Sequence, residues 1–77
     1  MQTRIIIFGQ LTDIVNASSL TMNNIGDTNS LVMELNKLYP VLADTKYMIA
    51  VNKQTVIENT VLQEDSIVAL LPPFSGG

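Results

Sequence analysis

Two stretches of the chain are almost entirely hydrophobic, one near each end of the sequence. Residues 5–8 are three isoleucines followed by a phenylalanine, and residues 67–71 are all aliphatic. Neither stretch alternates between polar and apolar positions, which is typical of strands that are covered on both faces, or at least lie centrally in their sheet. The pattern therefore predicts two inner strands.

The strongest helical pattern lies between residues 28 and 38. Its apolar residues form one stripe at helical spacing: Leu31, Val32, Met33, Leu35 and Leu38. Asp27 or Thr28 can supply the N-cap oxygen, and Pro40 ends the helix because the residue before a proline avoids the helical conformation. We expect one main helix whose stripe packs into the core.

Shorter segments supply the remaining elements. Residues 10–16 place Leu11, Ile14 and Val15 on one face of a short helix, with an irregular apolar loop as the alternative. We further predict, in order, an edge strand at 18–25, a strand at 47–51, a turn at 52–54, a short strand at 55–57 and one 3₁₀ turn within 59–65.

This order of elements predicts an α+β fold with a mixed sheet of four to five strands and one main helix lying across it. The first and last strands pair side by side in the middle of the sheet, which is the ubiquitin-like β-grasp arrangement. We expect residues 1–71 to form this domain and residues 72–77 to form a flexible C-terminal tail.

Composition removes most catalytic chemistries. The 77 residues contain no cysteine and no histidine, so disulfides, thiolate sites and the commonest general base are absent. No glycine-rich phosphate loop follows a strand, and no pair of carboxylates is framed by apolar residues as a catalytic dyad would be. We therefore expect no metal site and no cofactor bound by this chain.

Charge limits the partners. The chain has four basic and seven acidic residues, for a net charge of −3. The basic residues form no run of the kind that nucleic-acid binding needs. The sequence shows neither a membrane span nor the apolar core of a signal peptide, so we expect a cytoplasmic protein. Charged residues make up only 14% of the chain, which leaves room for an exposed apolar patch that binds a partner.

The C-terminal segment is the remaining place for chemistry. Pro72 and Pro73 stop the last strand because neither can donate a ladder hydrogen bond. The residues that follow are Phe74, Ser75, Gly76 and Gly77. Two residues without side chains can thread a narrow pocket, where the α-carboxylate of Gly77 could be activated. A frayed end that happens to carry two glycines is the alternative.

Three segments together carry a family resemblance. They are residues 8–11, which read Phe-Gly-Gln-Leu, residues 50–52, which read Ala-Val-Asn, and residues 65–77, which hold an acidic turn, the last strand and the tail. They resemble the MoaD/ThiS superfamily of ubiquitin-like sulfur carriers, and the paired prolines are similar to those of the small subunit of molybdopterin synthase. Glu64 and Phe74 depart from the family pattern, which usually has glycine and often an aliphatic residue there.

The resemblance implies a cycle of activation and sulfur transfer. An E1-like adenylyltransferase and sulfurtransferase would use ATP to adenylate Gly77, and a sulfur donor would convert the adenylate to a thiocarboxylate. The tail, residues 72–77, would then enter the large catalytic subunit of molybdopterin synthase and give up its sulfur for the dithiolene of the molybdenum cofactor. The implied assembly is a heterotetramer in which this chain is a non-catalytic carrier.

A docking patch beside the tail is a further hypothesis. It comprises Phe8, Val56, Leu71 and Phe74, and the alternative for Phe8 and Leu71 is that they are buried core residues. Three other functions stay open: a sulfur carrier of thiamine synthesis, a ubiquitin-like modifier that forms isopeptide bonds, and a protein-interaction module whose tail is inert.

Overall fold

The structure is a computed structural model, and it describes residues 2–73. The elements, in chain order, are β1 (Gln2–Ile7), α1 (Leu11–Val15), β2 (Ser19–Asn23), α2 (Thr28–Leu38), a 3₁₀ helix (Pro40–Asp44), β3 (Met48–Val51), β4 (Gln54–Val56) and β5 (Ile67–Leu71). Within residues 2–73, no helix is long and apolar enough to cross a membrane.

The two hydrophobic stretches form adjacent strands inside one sheet. The strand order is β2-β1-β5-β3-β4, with β1 and β5 parallel and every other pair antiparallel. Ile5 lies opposite Val68, and Ile7 lies opposite Leu70. The predicted mixed sheet, its inner strands and the β-grasp arrangement with one main helix are therefore confirmed.

Among residues 2–73, elements cover only one face of this sheet. Ile5, Ile7, Val68 and Leu70 are buried in one cluster with residues of both α-helices. The alternate positions point the other way, so that Phe8 remains 46% exposed despite its place in the hydrophobic run. The central position of these strands is therefore confirmed, whereas coverage of both faces is wrong for residues 2–73, because both α-helices lie on one side of the sheet. We call the uncovered side the open face.

The main helix begins where the sequence predicted, although its apolar stripe is narrower. Asp27 is the N-cap, and Leu31 and Leu35 are completely buried. Met33 is 68% exposed because it lies about 200° around the helix from Leu31. Leu38 is 55% exposed at the last helical position, so neither residue belongs to the core.

Two loop predictions need correction. The sequence pattern predicts no element between Pro40 and the strand at 47–51, yet residues 40–44 form a 3₁₀ helix that buries Leu42 in the core. The segment 59–65 contains an isolated bridge between Val61 and Asp27 in place of the predicted 3₁₀ turn. In the first place Leu42 is buried in the core, and in the second Val61 pairs with Asp27. Neither contact can be predicted from hydrophobic periodicity.

The predicted turn after β3 is a tight hairpin. Asn52 and Lys53 form a two-residue loop with φ values of 50° and 72°, a backbone that asparagine adopts more readily than most residues. The Asn52 side-chain oxygen accepts a hydrogen bond from the Ile67 amide at 3.0 Å, and the Asn52 amide donates to the Ile67 carbonyl at 2.8 Å. The hairpin is thereby attached to the start of β5.

A polar cluster holds the N-terminus of α2 against the segment before β5. The Asp27 carboxylate accepts a hydrogen bond from the Ser30 amide at 2.9 Å, and the Asn59 side-chain oxygen accepts one from the Asn29 amide at 2.9 Å. The hydrogen bonds of Ser30, and next that of Asn59, lower the pKa of Asp27 below its ordinary value of 3.8. The charged form of Asp27 therefore stabilises the fold.

The stability contributed by the Asp27 charge should disappear in acid. Because its pKa is lower in the folded chain, the contribution is complete above the unfolded value of 3.8 and is lost as pH falls through the folded value. Asp27→Asn keeps an oxygen that can cap the helix but carries no charge. We expect the wild type to have the higher melting temperature at neutral pH, and the two melting temperatures to converge as the pH falls through and below the folded pKa of Asp27. A difference that is constant with pH would contradict this assignment.

A buried hydroxyl in β1 offers a second test of stability. Thr3 is fully buried, and its Oγ1 has no hydrogen-bond partner among residues 2–73. Thr3→Val removes an unsatisfied polar atom at nearly constant volume, so the free energy of unfolding in urea should rise by about 1 kcal/mol. Thr28→Val is the matched control, because the buried Thr28 hydroxyl accepts from the Thr60 amide at 2.9 Å and its loss should destabilise. Destabilisation by Thr3→Val would show that its hydroxyl is satisfied.

Candidate functional site

The end of β5 sets the point where the tail leaves the domain. β5 ends at Leu71, as the two following prolines predicted. The Phe8 amide donates to the Leu70 carbonyl at 3.0 Å, one residue beyond the end of β1. Pro72 is half-buried and Pro73 is exposed. The chain therefore leaves the sheet beside the β1–α1 turn.

That turn lies directly against the first proline. Gly9 has a φ of +60°, and a Cβ atom placed on it would lie 2.6 Å from Cγ of Pro72. The Gly9 carbonyl accepts hydrogen bonds from the Thr12 amide at 3.1 Å and from the Thr12 hydroxyl at 2.8 Å. These hydrogen bonds hold the β1–α1 turn to the first turn of helix α1. The ring of Pro72 packs against Gly9 on the other side of the β1–α1 turn.

Pro73 lies where two shallow grooves meet. One groove also includes α1 residues and Lys46, and the other includes Asn36 and Tyr47. Burial raises the pKa of the Tyr47 hydroxyl above its ordinary value of 10.0, so Tyr47 is neutral at physiological pH. The start of the tail is therefore bordered by α1 on one side and the segment before β3 on the other.

The open face carries an apolar groove next to the tail, which we call the open-face groove. It has a volume of about 510 Å³ and is lined by Ile6, Phe8, Ala50, Asn52, Lys53, Thr55, Ile67, Ala69 and Leu71. Ala69 lies opposite Ile6 on one side and Ala50 on the other, so small side chains form the floor. Apolar concavity with few polar groups is typical of a binding surface.

The structure separates the members of the predicted docking patch. Phe8 is 46% exposed and Leu71 is half-buried, and both line the open-face groove, so neither is a core residue. Val56 lies opposite Ile49 in the sheet and packs against the core, so the structure does not bring it together with Phe8 and Leu71. Its neighbour Thr55 lines the groove instead. Whether this surface binds a partner stays a prediction.

Sequence reasoning missed three groove residues on the two central strands, β1 and β5. Ile6, Ile67 and Ala69 were assigned to covered strands, yet all three line the open face. Counting in steps of two from Phe8 and Leu71 identifies these residues, because alternate positions of a strand share one face. This two-residue spacing is present in the sequence, but it does not stand out because the residues between these positions are also hydrophobic.

The predicted reacting group lies outside the described residues. Phe74, Ser75, Gly76 and Gly77, the tail-insertion residues beyond Pro73, all follow the described range. Within residues 2–73, no group of three or more histidine, cysteine, aspartate or glutamate side chains could hold a metal ion. The described part of the candidate site therefore consists of the open-face groove and the point where the tail leaves the domain.

Solved structures share this fold at low sequence identity. A protein assigned as molybdopterin converting factor subunit 1 from Pyrococcus furiosus superposes with a TM-score of 0.85 at 16% identity, covering 95% of this chain and 98% of that chain. Small archaeal modifier protein 1 from Haloferax volcanii gives 0.79 at 17% identity, with complete coverage of both chains.

A third similar structure contains a partner. It is the complex of subunits 1 and 2 of the molybdopterin-converting factor from Helicobacter pylori, with a TM-score of 0.67 at 23% identity and complete coverage of both chains. At these identities the structures establish the fold alone, and they agree on the ubiquitin-like β-grasp.

The sequence itself identifies the family. A sequence model of the ThiS family matches residues 5–77, from β1 through the two C-terminal glycines. The match covers the paired inner strands, the Gly9 turn and the tail within one alignment. The chain therefore belongs to the ThiS family.

Proposed function

We propose that this protein is the sulfur-carrier subunit of a cytoplasmic molybdopterin synthase. The observation that carries the proposal is the family match, which spans residues 5–77 and so includes both the first inner strand and Gly77. The paired prolines before the glycines favour the molybdopterin branch, and structures named as molybdopterin-converting factors share the fold. In this reading the domain holds the tail, and the partners carry out the catalysis.

The proposed chemistry takes place at the Gly77 carboxylate. A carboxylate oxygen attacks the α-phosphorus of ATP in an E1-like activating enzyme and releases pyrophosphate. A sulfide equivalent from a sulfur donor then attacks the acyl carbon and releases AMP, which leaves a thiocarboxylate. No cofactor is bound by the carrier, since ATP belongs to the activating enzyme.

Sulfur transfer takes place in the large catalytic subunit. The thiocarboxylate sulfur is a soft nucleophile that attacks a carbon of the cyclic pyranopterin monophosphate, so that a C–S bond forms as the C–O bond at that carbon breaks and its oxygen leaves; each loaded carrier supplies one of the two dithiolene sulfurs. Water then cleaves the acyl–sulfur bond, which returns the Gly77 carboxylate and leaves the sulfur on the pterin. Gly76 passes the narrow entrance because it has no side chain.

The open-face groove supports a protein partner beside the tail. Phe8 and Leu71 line it, and Leu71 is directly followed by Pro72, so a subunit bound there lies at the tail exit. We infer that the large subunit binds this groove and that two carriers and two large subunits form a heterotetramer. The Helicobacter pylori complex of subunits 1 and 2 supports such a partner.

The carrier reaction predicts a defined mass change at Gly77. After incubation with its E1-like enzyme, ATP and a sulfur donor, the intact chain should gain about 16 Da, because one oxygen is replaced by sulfur. A variant with one alanine added after Gly77 should gain nothing, since its glycines no longer bear the terminal carboxylate. Intact mass spectrometry measures both. Sulfur gain by the extended variant would contradict the proposed site.

The open-face groove predicts a selective loss of partner affinity. Phe8→Asp places a charge among apolar side chains, and the affinity for the large subunit should fall at least about tenfold in calorimetry, as for a buried aromatic anchor. The matched control is Ile57→Asp, because Ile57 is 97% exposed and does not line the groove. Equal effects of the two variants, at unchanged melting temperatures, would remove the groove from the interface.

A ubiquitin-like modifier is the second candidate function. The specific observation in its favour is the structural similarity to small archaeal modifier proteins from Haloferax volcanii and Methanosarcina acetivorans, each with a TM-score of 0.79. The same activated Gly77 would then form an isopeptide bond with a lysine amine of another protein. The mass experiment distinguishes the two, since a modifier yields adducts on other proteins and a carrier yields a thiocarboxylate.

A further inference from the structure

We propose that Gly9 is a positioning residue for the tail, because its bare Cα forms a seat for the ring of Pro72. This inference rests on the proposed function, in which the tail must enter an active site of another protein. Gly9 itself touches neither ATP nor pterin in that scheme. It acts through Pro72, by setting the direction in which the chain leaves the domain.

The contact between the two residues is close and extends over the ring. A Cβ atom on Gly9 would lie 2.6 Å from Cγ, 3.4 Å from Cδ and 4.0 Å from Cβ of Pro72. The proline ring therefore occupies the space that any other side chain at position 9 would need. Gly26 provides the contrast, since a Cβ atom there would meet nothing within 4 Å.

Both sides of the seat are tied to the rigid part of the fold. Thr12 holds the Gly9 carbonyl with two hydrogen bonds, of 3.1 Å and 2.8 Å. Phe8, the preceding residue, donates to Leu70 at 3.0 Å, which fixes the turn to β5 just before Pro72. Proline fixes its own φ, and the contact with Gly9 additionally fixes where the ring lies on the domain.

The seat couples the partner surface to the tail. Phe8 lines the open-face groove, and its neighbour Gly9 contacts Pro72. A partner that binds Phe8 therefore lies at a fixed position relative to the point where the tail leaves the domain. Residues 74–77 can extend at most about 14 Å. The point at which Pro72 leaves the domain therefore limits the positions that the reacting carboxylate can reach, and a displacement of about 1 Å can cost up to about a hundredfold in rate.

The decisive variants separate the contact from backbone strain. Gly9→Asn introduces a Cβ atom while keeping a residue type that tolerates positive φ. Asn16→Ala is the matched control for strain, because Asn16 has a φ of 62° at the other end of α1. Pro72→Ala removes the ring from the seat, and Pro73→Ala removes an exposed proline that is absent from the contact.

The readout is the rate of adenylate formation on the full chain with its activating enzyme, together with melting temperature and affinity for the large subunit. Gly9→Asn should slow adenylation at least about tenfold while affinity stays within about twofold. In the Pro72→Ala background, Gly9→Asn should have no further effect, because the two residues act through one contact. Pro72→Ala should slow the reaction more than Pro73→Ala, and Asn16→Ala should lower only the melting temperature.

Distinct outcomes separate this inference from the proposed function. If the wild type is not adenylated, the proposed function is wrong and the seat has no tail to position. If the wild type reacts and Gly9→Asn reacts equally fast, the seat alone is refuted. If Gly9→Asn fails to fold, the two proline variants still test the inference. Equal adenylation rates for Pro72→Ala and Pro73→Ala would overturn it.

Discussion

The parallel pairing of β1 with β5 is the constraint on which the rest of the structure depends. It joins two hydrophobic stretches separated by most of the sequence, and the register sets Ile5 against Val68 and Ile7 against Leu70. These four side chains form the centre of the core under the helices. The same pairing brings the chain leaving β5 to the turn that follows β1, so the core and the tail exit are consequences of one contact.

The remaining architecture follows from covering that pair on one side only. α1 and α2 supply apolar side chains to one face, which leaves alternate residues of the same strands exposed on the other. An exposed apolar sheet face in a single small domain is a binding surface more often than a structural accident.

Residue patterns predicted the parts of the fold that depend on local chemistry. Unbroken hydrophobic runs identified the inner strands, the N-cap candidates Asp27 and Thr28 located the helix start, and the two prolines located the end of β5. Residue patterns failed where the position of a side chain depends on a one-residue shift of strand register or on a single long-range contact. Val56 lies on the core face because it pairs with Ile49, and a shift of one position would have placed it in the groove. The contact of Gly9 with Pro72 joins distant parts of the chain, so no local signal records it.

The central position of β5 has a consequence for biosynthesis. β5 follows every other element in the chain, yet it lies between β1 and β3 and completes both pairings. A nascent chain that has not yet released this segment from the ribosome holds two separate hairpin-like pieces, because β1–β2 and β3–β4 have no contact with each other in the sheet order. Cooperative folding therefore waits for the residues that immediately precede the tail, and a prematurely terminated chain cannot offer a finished surface to a partner.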